Sequence, residues 1–156
     1  MNNNIQQNNI FKTLQIIYGA FVLGVVIVTI VSFLLIENPS YEIELSNVFT
    51  IVVVVVTFGG LFLSDFLYKS LLSKIVSNQS LNSKLAQYQT ATLVKGACLE
   101  APAMLAIAVA FTSNNVTFLL ISLFIAVIMY LKFPKKEKFK EEVTLNFEDK
   151  TKFDRL

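Results

Sequence analysis

The strongest constraint on this chain is its four long apolar runs, at residues 14–36, 48–68, 93–112 and 116–133. Each is about 20 residues. At about 1.5 Å per residue, a helix of that length crosses a hydrocarbon core of about 30 Å. A soluble domain of 156 residues could not hide four such segments. With no water in the bilayer core, each crossing segment must satisfy its own backbone as a helix. The run IVVVVV at 51–56 is β-branched, yet apolar sequence continues on both sides without a turn signal, so length decides for helix. The expected fold is all-α and polytopic: an up-down bundle of four transmembrane helices over residues 1–133, with a cytoplasmic tail over 134–156. The first run reads as a retained span. It is too long for a signal-peptide core, and no small-residue cleavage site follows it.

The net charge of +2 says little, but its distribution says more. Lysine and arginine fall before the first run, between the second and third, at the start of the third, and from Lys132 onward. The loop at 37–46 carries Glu37, Glu42 and Glu44 and no base, and the loop at 113–115 is uncharged. The positive-inside rule then expects both ends in the cytoplasm.

Histidine is absent and Cys98 is the single cysteine. No disulfide can form within one chain, and the commonest general base and transition-metal ligand are missing. No phosphate-cradling glycine loop, nucleophile motif or metal-ligand spacing appears. The expectation is a non-enzymatic protein without metal or cofactor and without a nucleic-acid partner. Its expected partners are the lipid bilayer and either a second copy of itself or another membrane protein.

The opening MNNNIQQNNI is polar and reads as a fraying end. Between the second and third runs, residues 69–92 form an inner hairpin. Leu71, Leu72, Ile75 and Val76 keep helical spacing there, and residues 77–82 supply the turn. Ser80 or Asn82 is the expected N-cap of a helix starting near Leu81. The hairpin is either a docking surface or simply a joint. In the tail, Pro134 ends the fourth helix. Lys132, Lys135, Lys136, Lys138 and Lys140 either fix topology or attract anionic lipid headgroups, at about 1 kcal/mol per base near the surface. EKFKEEV suits a short amphipathic helix. VTLNF alternates, with Val143, Leu145 and Phe147 on one face, as a segment lying along a partner or neighbouring subunit would.

Ionisable groups inside a span are functional candidates. Asp65 and Lys69 are four residues apart, with the acid first, which suits a local ion pair at the cytoplasmic mouth. Lys95 either snorkels out or pairs with Asp65 at similar depth. Glu100 lies roughly 10 Å inside the third span by helical rise. Lys95 is five residues back, about 140° round the helix at about 100° per residue, so it faces elsewhere. Any partner for Glu100 must therefore come from another helix or another subunit. Its face also carries Gln89, Thr92, Gly96, Ala97 and Ala103, polar or small as at a helix–helix interface. Gly24, Gly59 and Gly60 fall near the same depth, with Tyr18, Ser64 and Tyr130 as candidate donors. Pro102 lacks a backbone donor and crowds the carbonyl of Cys98, so a kink or loosened carbonyl is expected beside the acid. The group Glu100, Pro102, Gly96, Gln89 and Thr92 reads as either a packing site or a proton or ion site.

Two resemblances attach to these residues. ACLEAPAMLAIAVAF, residues 97–111, resembles the carboxylate helix of the rotary ATPase proteolipid, the c-subunit, although Pro102 follows the acid by two residues rather than three. That likeness implies a proton- or sodium-carrying role for Glu100. LQIIYGAFVLGV, KLAQYQTATLVKGACLEAPAML and FPKKEKFKEEVTLN together resemble a family of small four-span bacterial membrane proteins. This second likeness implies that Tyr88, Gln89, Thr90, Ala91 and Glu100 form a core motif in a bacterial cytoplasmic (inner) membrane protein. It implies a fold and no particular activity.

The expected function is a structural or assembly subunit that self-associates or binds a membrane partner. The alternative is a proton- or cation-translocating subunit built on Glu100. An intramembrane enzyme using Glu100, Asp65 and Lys95 is a third reading, for which the supporting groups are missing.

Overall fold

The computed structural model describes residues 2–42 and 47–153, so Glu44 lies outside it, as does the side chain of Phe147. Among the described residues the chain is all-helical. It comprises α1 (Asn2–Leu35), α2 (Val48–Leu72), α3 (Leu81–Ser113), α4 (Thr117–Leu131), α5 (Lys136–Glu142) and α6 (Phe147–Phe153). Helices α1, α2 and α3 are each long and apolar enough to cross a membrane.

Helix α4 is shorter than the apolar run that contains it. Its 15 residues rise about 22 Å. It then bends by 76° into α5 across a break that holds Pro134. The polar N-terminus differs from the expected frayed end, because α1 is already helical at Asn2. Helix α2 stops at Leu72, so Ile75 and Val76 belong to the turn and not to an extended helix. Helix α3 begins at Leu81 with Ser80 as N-cap, its side chain accepting from the amide of Ser83.

Helix α3 is central. It packs against α1, α2 and α4, and α1 also packs against α4. Small residues allow the close approaches. A Cβ at Gly60 would lie 2.8 Å from Cγ of Pro102 and 3.0 Å from the Cys98 carbonyl oxygen. Gly60 thus lets α2 close over the proline ring. Pro102 is buried, and α3 runs unbroken through it. The Cys98 carbonyl, which receives no N–H from Pro102, faces α2 at Gly60. On the α1 side, a Cβ at Gly96 would lie 2.9 Å from Phe21 and 3.1 Å from Tyr18. Further along, the buried hydroxyls of Thr29 and Ser122 are hydrogen-bonded at 2.9 Å, tying α1 to α4.

Two apolar cores result. One runs through the bundle from Tyr18 and Val25 to Leu99, Ile107, Ile125 and Met129. The other lies at the lysine-rich end and joins Phe11, Leu14, Tyr68, Leu85 and Tyr88 to Phe139, Val143, Leu145 and Phe153 of the tail. The tail therefore folds back on its own chain. Val143 and Leu145 alternate with exposed Thr144 and Asn146, as expected, but they bury against this chain rather than a partner. At the opposite end the two short loops meet. The Ser40 amide donates to the Asn114 carbonyl at 2.8 Å, and the Val116 amide donates to Ser40 at 3.1 Å.

Candidate functional site

The ionisable groups of α3 fall into two unlike environments. On the face toward α2, Lys95 is almost fully covered. Its ammonium lies 3.2 Å from the Asp65 carboxylate and 4.0 Å over the centre of the Tyr68 ring. Lys132, just past α4, donates to both Asp65 oxygens at 2.8 and 2.9 Å. Two cations thus share one carboxylate, drawn from three segments of the chain. Lys69 is not part of this pairing: it is exposed and makes no ion pair with a described residue. The local i, i+4 pair expected from sequence loses to partners from other helices. Both reach Asp65 from less solvated positions, where the attraction is less screened.

Lys132 is thereby withdrawn from the row of headgroup-facing lysines. Among the others, Lys138 stands 4.0 Å from Glu142, Lys140 lies over the Phe153 ring at 5.7 Å, and Lys135 is exposed. The Tyr68 hydroxyl donates to Glu142 in a short hydrogen bond. Tyr68 also meets Tyr88 edge to face, and Tyr88 meets Phe139 in the same way at 5.0 Å. Deeper in the same end, the ammonium of fully buried Lys84 lies 2.7 Å from Asp149 and donates to the Ser77 carbonyl at 2.8 Å. These contacts fix the tail as the wall of a groove of about 670 Å³, lined by Asp65, Tyr68, Lys69, Lys95, Lys132 and Glu142, with Leu72, Ile75 and Val143 as apolar flanks.

Sequence reasoning missed Lys84, Asp149, Tyr68 and Glu142 as site-forming groups. A signal existed in the tail: apolar Phe139 and Val143 are four residues apart, as on one face of a helix end, which marks a docked segment rather than a solvated one.

Glu100 is the contrast. It is half-buried at the rim of α3 and makes no hydrogen bond or ion pair with any described residue. The donors expected near it point elsewhere or lie apart. Ser64 donates to the Leu61 carbonyl at 2.8 Å, and Tyr130 is exposed. The Tyr18 hydroxyl is buried without a partner among the described residues. Of the residues grouped with Glu100, Thr92, Gly96 and Pro102 are buried and Gln89 is half-buried. Gly96 packs on α1 and Pro102 on α2, so the group does not converge on a single cavity. Gly24 and Gly59 have open space where a side chain would stand. No group of three or more potential metal ligands occurs among the described residues.

Comparison of the chain with protein-family models, curated proteins and solved structures finds no match.

Proposed function

We propose that this protein is a membrane-embedded assembly subunit whose Glu100-bearing flank meets a second copy or another membrane protein. One observation carries the reading. A carboxyl lies in the middle third of a long apolar helix, half-covered, with no partner among the described residues. Placing an ionised acid at the centre of a bilayer costs about 2.5–3.5 kcal/mol on insertion scales. A donor from a neighbouring subunit would offset that cost. Ala97 and Ala101, small and exposed beside Glu100, allow close approach of such a neighbour.

In this reading α4 is a fourth span, and both ends of the chain face the bacterial cytoplasm. The clustering of lysine-bearing segments at the end where the tail docks supports that orientation. The protein acts by binding rather than by catalysis. Ion translocation is the second reading, and the unpaired carboxyl is compatible with it. The charged groove and Glu100 occupy different faces of α3, which argues against one continuous path between them.

Two measurements test the proposal on the same protein. In detergent or nanodiscs, the wild-type chain should form an oligomer or a defined complex that Glu100→Gln weakens. In liposomes, neither protein should carry a proton or sodium flux. Flux that Glu100→Gln abolishes would replace assembly with conduction. An unaltered complex size in the variant would remove Glu100 from the interface.

A further inference from the structure

The groove at the lysine-rich end carries more positive charge than its own acids neutralise. Asp65 offers one negative charge to both Lys95 and Lys132. Glu142, the other acid of the lining, accepts from Tyr68 and stands 4.0 Å from Lys138 outside the groove. Lys69 adds a third ammonium to the lining and makes no ion pair with a described residue. The three ammoniums of the lining thus face two carboxylates, leaving the groove short of one anion, and Lys69 is the cation left to receive it.

The surface leading to Lys69 is apolar in a specific way. Phe58, Phe62 and Phe66 are all exposed on α2 and recur every four residues, with Lys69 one turn further. The rings of Phe62 and Phe66 stack at 6.2 Å. From Phe58 to Lys69 the helix rises about 16 Å, close to half of a hydrocarbon core of about 30 Å. An aromatic stripe one leaflet long thus ends at an unneutralised basic groove, with Leu72 and Ile75 at its mouth. A free phosphate ion would use the groove and leave the stripe bare. A phospholipid would use both.

We propose that this groove is a specific site for one anionic phospholipid, its phosphate held by Lys69, and an acyl chain lying along Phe58, Phe62 and Phe66. The site depends on α2 crossing the membrane but not on the role of Glu100, so failure of the assembly reading leaves it intact. Lys95 and Lys132 stay committed to Asp65, Lys95 also to the Tyr68 ring, and both supply field rather than direct contact. The tail forms the far wall, which distinguishes this site from diffuse attraction to the exposed lysines of residues 135–140.

The test uses the full-length protein in detergent and native mass spectrometry with added lipid. Phosphatidylglycerol should bind as one tightly held molecule per chain. Lys69→Gln should weaken it about fivefold, the share of one basic group near an anionic surface, and Lys69→Arg should restore it. Lys135→Gln, on the exposed tail, should leave it unchanged. Phe62→Ala should weaken phosphatidylglycerol while leaving glycerol phosphate, which has no acyl chain, unaffected. An equal loss in Lys135→Gln and Lys69→Gln would overturn the proposal in favour of diffuse attraction. Equal retention of phosphatidylcholine would overturn the charge argument. Inorganic phosphate competing as well as the lipid would make the ligand a free anion.

Discussion

Lys95 and Glu100 stand five residues apart on one helix and meet opposite fates. Lys95 faces α2, where an acid, an aromatic ring and a second lysine close round it. Glu100 lies about 140° further round and meets nothing polar among the described residues. The same buried helix thus offers a satisfied face and an unsatisfied one. A charge inside an apolar helix is stable when a neighbouring helix brings its partner, and it points outward from the fold when none does. On the Lys95 face the chain completes its own chemistry. On the Glu100 flank the described residues supply no polar partner.

The largest test of this contrast lies at the foot of the satisfied face. Lys84→Met removes the fully buried ammonium and leaves Asp149 covered and unpaired. The expected loss is about 3 kcal/mol, the lower end for breaking a buried pair. It should be seen as a lower melting temperature and faster proteolysis in the tail. Persistence of a protected tail would mean that the aromatic contacts of Phe139 and Phe153 suffice alone.

Next in size is the close approach of α2 to α3. Gly60→Ala forces a Cβ against the Pro102 ring and the Cys98 carbonyl, and should cost about 2 kcal/mol by overpacking. Gly59→Ala meets open space and should change stability by less than about 0.5 kcal/mol. Gly96→Ala falls between the two. It presses on the rings of Tyr18 and Phe21, which can yield where a backbone carbonyl cannot. Thermal unfolding of the three variants in one detergent gives the ranking.

The charge pairing itself is worth less. The Asp65 side chain is 47% exposed, so a double-mutant cycle of Asp65→Asn with Lys132→Gln should give a coupling of about 1 kcal/mol or below. The corresponding cycle of Asp65 with Lys69 should give none. A larger coupling to Lys69 would restore the local pair that the sequence spacing suggested.

The smallest effect on the isolated chain belongs to Glu100→Gln. With no partner among the described residues to lose, its unfolding should move by less than about 0.5 kcal/mol. If the isolated chain were strongly destabilised, Glu100 would be part of the fold's own network, and the contrast with Lys95 would collapse.

Much of this architecture is legible in the residues alone. The helical class, three helices long and apolar enough to cross a membrane, the helix start near Leu81 and a cap at Ser80 or Asn82, of which the structure uses Ser80, follow from run length and capping chemistry. So does the conclusion that Lys95 cannot serve Glu100, because that depends only on helical pitch. The choice among partners for Asp65 is a different kind of quantity. Lys69 is near in sequence, yet Lys95 and Lys132 arrive from α3 and the end of α4. Sequence spacing ranks only local candidates, whereas the pairing depends on which helix packs beside α2 and how far each group is from water. The docked tail was misread in part for the same reason. Its alternating apolar residues announce that something will cover them, but not that the cover is the inner hairpin of the same chain.

The sequence by itself therefore determined what each segment must be: apolar runs in helical form, lysines gathered at one end, and one acid deep in the third run. These follow from the cost of unsatisfied backbone and exposed charge in hydrocarbon, which is paid residue by residue. Only the tertiary structure decided what meets what: Gly60 over Pro102, Lys132 on Asp65, the tail against Tyr88, and no polar partner among the described residues for Glu100. Those outcomes depend on helix order and contact distance, which no local pattern along the chain encodes.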